Sequence, residues 1–499
     1  MHLYEELQNT LKRHGYRSKI IEDSFKNSIS NLGLVYKSIL LSAIYQDKLK
    51  TEKTVAIMMP NTVITSVLFF ALQYLDKTVA IINFTSGLKN IVSSLEVSKI
   101  QTIITSRKFI EQIDMIENIE LINKDIKIEY IEDIKSKITL SLKINTAVKI
   151  FFKEKVNRDP RNAAVILYTS GTENSPKGVM LSHNNLHENR SQVLEVLKLN
   201  KEEKFFTCLP FFHSFGLGVG ILLPILNGYK VFLYPTPLHY KNIPSLIEDS
   251  KASVFFSTDT FLKKYLKYAN KKNFKNIKYL IAGAEKLDEK TYDYYQNNFN
   301  IKILEGYGVT EASPAVSVNT YDNFRLGSVG KILPGIEYRI EKIEGHSRGG
   351  LLYLKGKNIM LGYQMERSNF NIKEIGDWYN TGDVAYVDKD SYLFILGRLK
   401  RFAKIAGEMI SLAQVEEFPK KLWPEKNSIV CSIKDFNKGE VLMLITNNKD
   451  ADLGLLMNFM KKAGLSNLYF PRKIKIIDEF PILGSGKIDF KKIQEIAES

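Results

Sequence analysis

Short β-branched runs alternate with stretches at helical spacing through the first part of the chain. That alternation narrows the fold more than any other feature of the sequence. Thr54–Met58, Val79–Asn83, Thr102–Thr105, Ala164–Tyr168, Val231–Tyr234, Val254–Phe256, Tyr279–Ala282 and Ile301–Leu304 read as strands, and Val63–Leu75 and Leu88–Val97 as helices. The strands are apolar throughout rather than alternating, which marks sheets buried on both faces. Strand–helix alternation then predicts parallel sheets covered by helices. From about residue 325 the pattern changes. Gly335–Ile343, Gly350–Lys355 and Tyr392–Leu396 are short and glycine-punctuated, and predict a small antiparallel or β-barrel-like unit. Strands near Ser428–Ile433 and Val441–Thr446 predict a compact α+β block at the end. The expected fold class is therefore α/β: a large N-terminal domain of parallel, helix-covered sheets with the barrel-like unit (1–398), and a small α+β C-terminal domain (399–499).

Bulk properties set limits. Two cysteines, Cys208 and Cys431, lie far apart without metal-ligand spacing and are expected as buried core thiols, which suits a reducing compartment. The net charge of +15 favours anionic partners such as nucleotides, an acidic protein or an anionic membrane surface; a lysine-rich solvated surface explains it equally well. The N-terminus lacks an apolar signal core, and the longest apolar stretch, Val63–Leu75, is too short to span a bilayer. A cytoplasmic location is expected, with peripheral contact to the inner face of the cell membrane left open.

The strongest chemical signal is YTSGTENSPKGV, Tyr168–Val179, which leaves an apolar strand and precedes a helix-like SHNNLHENR. Such a loop offers backbone N–H groups and hydroxyls to phosphate oxygens, and Lys177 adds a mobile positive charge. It is not a Walker A loop, because the order is Pro-Lys-Gly rather than Gly-Lys-Ser/Thr. Further motifs follow in order: GAEKL (Gly283–Leu287), EGYGVTE (Glu305–Glu311), WYNTGD (Trp378–Asp383), GRLKRFAKIAGE (Gly397–Glu408) and GSGK (Gly484–Lys487). Together they resemble the adenylate-forming superfamily of acyl-CoA synthetases, peptide-synthetase adenylation domains and luciferases. LPFFHSFGLGVG, VFLYPTPLHY, LEGYGVTEASP and RFAKIAGEM resemble one branch more closely, the acyl-[acyl-carrier-protein] synthetase half of bifunctional 2-acylglycerophosphoethanolamine acyltransferase.

The resemblance implies roles. Thr169, Ser170, Gly171, Thr172 and Lys177 would hold the phosphates of ATP, Thr310 the α-phosphate, and Glu311 Mg²⁺. Gly283, Ala284, Glu285, Gly306, Tyr307 and Gly308 would surround adenine, with Tyr307 stacking on it. Asp383 would accept from the ribose hydroxyls and Arg398 would touch ribose or phosphate. Phe212, His213 and Gly308 would line the acid pocket. Lys400 would be a hinge about which the C-terminal block turns, presenting Lys487 for adenylation. The implied reaction joins a fatty acid to the thiol of acyl carrier protein through an acyl-adenylate, with coenzyme A as the alternative acceptor. Nucleic acid is not an expected partner.

Two departures stand out. None of the seven histidines has an aspartate five positions later, so the bifunctional branch's acyltransferase half is expected to be missing and any lysophospholipid acylation would fall to a separate acyltransferase. Glu173 and Asn174 stand where the superfamily commonly has Thr-Gly, before the residue that precedes Pro-Lys; the branch shares the acidic residue, and Asn tolerates positive φ. Arg398, Lys400, Arg401 and Lys404, with Lys420 and Lys421, suggest a basic face suited to an acidic carrier protein, or simply a solvated charged face. A different class, a non-catalytic lipid-binding partner of an acyltransferase, would be favoured by loss of Lys487, Glu311 or Asp383; all three are present.

Overall fold

The computed structural model describes residues 1–151, 158–169, 176–344, 349–365, 370–371, 376–405, 408–435, 439–481 and 488–499. The chain divides into two compact units, Met1–Ile336 with Gly356–Asp377, and Glu337–Lys355 with Trp378–Ser499. The stretch 378–398 thus clusters with the C-terminal residues, and the expected 398/399 division falls inside the second unit.

The first unit is built on two large mixed sheets. In one, the parallel strands Ala163–Thr169, Thr78–Ile81, Thr54–Ile57, Thr102–Thr105 and Lys127–Tyr130 lie side by side in that order. In the other, Ile303–Gly308, Tyr279–Ala282, Val254–Ser257, Lys204–Thr207, Lys230–Leu233 and Lys19–Asp23 form the parallel core. Thr102–Thr105 and Val254–Ser257 are buried at every position, as strands covered on both faces must be. Helices begin where the sequence supplies caps: Thr62 before Val63–Tyr74, Ser106 before Arg107–Gln112, and Ser182 before His183–Leu197, the last completed by the Asn185 side chain. Among the described residues, no helix is long and apolar enough to cross a membrane.

Two expectations change here. Lys177–Ser182 is a strand, antiparallel to Ala163–Thr169, so the glycine-rich loop joins two strands of a hairpin and the helix starts only at His183. Lys177 is therefore not carried on a mobile loop; its backbone is paired with Thr169. The strand expected over Ile301–Leu304 instead covers Ile303–Gly308 and takes in EGYG. It continues because Gly306, Tyr307 and Gly308 pair with the antiparallel strand Ala315–Val318.

In the second unit, Glu337–Lys342, Gly350–Lys355, Tyr379–Val387 and Leu393–Arg398 form a four-stranded antiparallel sheet in the region expected to be barrel-like. Ser428–Asp435, Gly439–Thr446 and Lys473–Ile476 form a three-stranded sheet. Its alternation is regular. Val430, Leu442 and Leu444 join a core with Leu456 and Met460, while Ile429, Cys431, Ile433 and Met443 join one with Ile493 and Ala497. Both cysteines are buried and free, and burial pushes the Cys208 thiol up to about 12 and that of Cys431 to about 11.

Candidate functional site

In the first unit, the expected site residues stand at the carboxyl ends of strands from both sheets, where ligands bind in α/β folds. Thr169 ends one strand of the hairpin and faces Lys177, the first residue of the other. The Lys177 ammonium lies 5.1 Å from the centre of the Tyr363 ring, a cation–π distance. The Tyr363 hydroxyl donates to Glu311 Oε1 at 2.7 Å. Glu311 sits in the tight turn Thr310–Ala312, only 9% exposed, and its carbonyl accepts from the Met360 N–H at 2.8 Å. Beside it, the Thr310 and Ser214 hydroxyls are 3.1 Å apart. A continuous chain of contacts therefore runs from Thr169 through Lys177, Tyr363, Glu311 and Thr310 to the segment that holds Phe212 and His213.

That segment is fixed from behind. Buried Asn61 donates to the Leu209 carbonyl at 2.8 Å and accepts from the Phe211 N–H at 2.9 Å. Phe212 is buried edge-to-face against Phe84, and His213 lies beside it with ring centres 5.3 Å apart. A π-helical turn, Gly216–Leu222, follows, a geometry often found at functional sites. Its Gly218 packs on Pro314: a Cβ there would come within 2.8 Å of the Pro314 ring. Gly308 approaches the same residue, and a Cβ would meet the Pro314 carbonyl at 2.3 Å. Only glycine allows the Ile303–Gly308 strand to come this close.

The GAEKL loop meets the same region. A Cβ on Gly283 would stand 3.3 Å from the Phe215 ring and 3.4 Å from the Gly306 carbonyl. Ala284 adopts a left-handed φ of 67°, uncommon outside glycine. The Glu285 carboxylate faces away into the scaffold, accepting from the Thr260 N–H at 2.7 Å and the Thr260 hydroxyl at 2.8 Å at the start of helix Asp259–Leu266. Tyr307 is half-buried.

Glu305 ties this loop to its neighbouring strand: it is buried and accepts from the Leu287 N–H at 2.9 Å. Burial raises its pKa from about 4.5 to about 7. The folded chain then binds the Glu305 proton more tightly than the unfolded chain. The stability this contributes is complete below pH 4.5 and is lost as pH rises through about 7. Each tenfold gain in proton affinity is worth roughly 1.4 kcal/mol, so the loss is on the order of 3 kcal/mol. Glu305→Gln should remove that decline, and denaturant midpoints of both proteins between pH 5 and pH 8 would show it; parallel curves would refute it.

In the second unit, Asp383 and Arg398 are partners across an antiparallel pair. The Arg398 Nε lies 2.8 Å from Asp383 Oδ1, with Asp383 only 3% exposed, and an Arg398 terminal N–H donates to the Thr381 carbonyl at 3.1 Å. Lys400 is exposed in the short turn Leu399–Arg401. The basic face is smaller than expected. Arg401 turns inward to Glu416, donates to the Val430 carbonyl at 3.0 Å and lies over the Phe490 ring, and Arg398 is held by Asp383; Lys400, Lys404, Lys420 and Lys421 stay exposed. Ser170, Gly171, Thr172, Glu173, Asn174 and Lys487 lie outside the described residues.

Sequence reading missed Tyr363, Ser214, Asn61 and Glu305 as parts of this constellation. Tyr363 lies 52 residues from Glu311 and Asn61 lies 150 from Phe211, separations at which no local spacing signals contact. One further cluster, His2, Asp76 and His183, brings three metal-ligating side chains together. The Nδ1 atoms of both histidines accept backbone N–H groups, of Tyr4 and Leu3. Burial keeps both rings neutral, lowering His2 to about 3 and His183 to about 2, so each Nε2 carries the proton and is not a ready metal ligand.

Comparison with known proteins bears on the family and the fold. A family profile described as AMP-binding enzyme matches residues 42–364. Probable 4-coumarate–CoA ligase 3 of Dictyostelium discoideum is 28% identical over 352 residues, which cover 67% of this chain and 63% of that protein. 2-Succinylbenzoate–CoA ligase of Listeria innocua is 24% identical over 468 residues, covering 92% and 93%. The ATP-bound structure of MatB from Rhodopseudomonas palustris superposes with a TM-score of 0.85 at 22% identity, over 100% of this chain and 99% of that one, and so shares its fold. With the profile spanning well over half its length, the chain belongs to the AMP-binding enzyme family.

Proposed function

We propose that the protein is an ATP-dependent, AMP-forming acid–thiol ligase that activates a fatty acid as its acyl-adenylate and passes the acyl group to acyl carrier protein. The observation that carries the reading is the contact chain Lys177–Tyr363–Glu311–Thr310, which sets a cation, a carboxylate and a hydroxyl together in a member of the AMP-binding family. ATP and magnesium are the proposed companions, as in the magnesium- and ATP-bound MenE structure from Bacillus subtilis.

The fatty-acid carboxylate attacks the α-phosphate of ATP, and pyrophosphate leaves. Two anions meet, so the chain's work is positioning and charge neutralisation. Thr169, Ser170, Gly171, Thr172 and Lys177 take the phosphates, and Thr310 donates to the α-phosphate. Glu311 would hold Mg²⁺, and the donor set fits. A carboxylate can accept the Tyr363 hydroxyl and still offer lone pairs to a hard cation that takes one or two carboxylates plus phosphate oxygens. When bound, the ion offsets phosphate charge. Gly283, Ala284 and Gly306–Gly308 border adenine through backbone, with Glu285 fixing the loop from outside. Asp383, held in place by its pairing with Arg398, serves the ribose hydroxyls. Phe212 and His213 border the acid, and residues 399–499 turn about Lys400.

Tyr363→Phe removes only the hydroxyl. It should raise the magnesium concentration for half-maximal ATP–pyrophosphate exchange about threefold to tenfold while leaving the KM for the acid near wild type. A change confined to the acid KM would remove Tyr363 from this role.

Coenzyme A is the second reading for the acceptor, favoured by the CoA ligases among the relatives. A panel of acids of increasing chain length, each assayed for AMP and pyrophosphate with either thiol, tests the proposal. Long-chain acids with carrier protein should give the highest kcat/KM. Preference for coenzyme A would move the acceptor to the second reading, and no AMP with any acid would end the ligase reading.

A further inference from the structure

Among the described residues, the helix Leu140–Phe151 packs on the helix Asn31–Tyr45. The Tyr36 hydroxyl, on helix Asn31–Tyr45, donates to the Lys143 carbonyl at 3.4 Å, and Thr146 is buried. Leu140, Ile144 and Val148 are 74%, 56% and 46% exposed. Their spacing of four residues puts all three on one face. A single exposed leucine is ordinary; an aligned stripe is not.

Within the stretch that carries the stripe, the formal charge is positive. Residues 134–153 contain five lysines and no acidic residue. Lys137 and Lys143 are exposed. The carboxylates just before this stretch already have partners. Glu129 pairs with Lys48 and, at 3.0 Å, with Lys127; Glu132 accepts from the Ser106 hydroxyl at 2.6 Å; Asp133 takes both arms of Arg107 at 2.6 and 2.9 Å. Those pairings engage Lys48, Lys127 and Arg107, while Lys137 and Lys143 stay exposed beside the stripe.

We propose that this face rests on an anionic lipid bilayer, with Leu140, Ile144 and Val148 at the acyl boundary and Lys137 and Lys143 at the headgroup phosphates. An apolar stripe bordered by lysines is the pattern of helices that lie in the interface plane, and 12 residues are too few to span. The charge complementarity selects anionic lipid. The inference goes beyond the ligase reading and stands without it.

The test is sedimentation of the full-length protein with vesicles of phosphatidylglycerol and phosphatidylcholine, against vesicles of phosphatidylcholine alone. Binding should be about tenfold stronger to the anionic vesicles and should weaken in high salt. Leu140→Gln, Ile144→Gln and Val148→Gln together should lower it about tenfold with an unchanged melting temperature, because all three positions face solvent. Lys137→Gln with Lys143→Gln should lower binding and flatten its salt dependence. In Val148→Trp, tryptophan emission should move to the blue when anionic vesicles are added. Equal binding to neutral vesicles, a triple variant that binds normally, or no emission shift would overturn the proposal. So would a dimer in sedimentation velocity that the triple variant abolishes without any vesicle binding, since the stripe would then meet a second copy of the chain.

Discussion

Lys487→Ala should cut acyl-adenylate formation by about a hundredfold to a thousandfold while thioester formation from supplied acyl-adenylate stays near wild type. The reasoning is electrostatic. In the first half-reaction a carboxylate approaches a phosphate, and both are anions. A lysine ammonium delivered by a glycine-rich segment neutralises charge that builds only as they meet. In the second half-reaction the adenylate's carbonyl is attacked by a thiol and that requirement falls away. ATP–pyrophosphate exchange reads the first step, and acylation of carrier protein from chemically prepared acyl-adenylate reads the second. Equal losses in both would refute the assignment of Lys487.

Glu311→Gln should lower the exchange rate about a hundredfold, close to 3 kcal/mol of barrier, and should raise the magnesium requirement at least about tenfold. The substitution keeps size and shape. The amide oxygen can still accept the Tyr363 hydroxyl, and the Glu311 carbonyl still accepts from Met360. The loss should therefore appear in metal dependence rather than in folding. Magnesium titrations of exchange alongside thermal melts separate the two. A large drop in melting temperature with unchanged magnesium dependence would make Glu311 a scaffold residue.

Much of the architecture is legible in the sequence because buried parallel strands announce themselves. Thr102–Thr105 and Tyr279–Ala282 lie where their apolar runs predict, and Leu88–Val97 is the expected helix. The reading fails where glycine occurs inside a strand. Gly178 and Gly308 look like loop residues, yet each sits in a ladder where the neighbouring chain leaves little room: a Cβ on Gly178 would come within 3.0 Å of Ile166. Strand ends carrying function use glycine for approach rather than for turning. The site is legible in outline, since motifs mark Lys177, Thr310 and Glu311. The groups that join them carry no such mark. Tyr363 reaches Glu311 only because its own strand pairs with Lys177–Ser182. Arg401 reads as one more surface cation, and only the packed structure turns it toward Glu416.

The Thr169–Lys177 pairing has an evolutionary corollary. Because both flanks of the glycine-rich segment are zipped by the hairpin ladder, the spacing between the Thr169 and Lys177 backbones is set outside the segment. An unusual pair such as Glu173–Asn174 can then be accepted without shifting either flank. Replacements that damage the ladder, at Val165 or Leu181, should therefore harm phosphate binding even though neither residue is proposed to touch a phosphate.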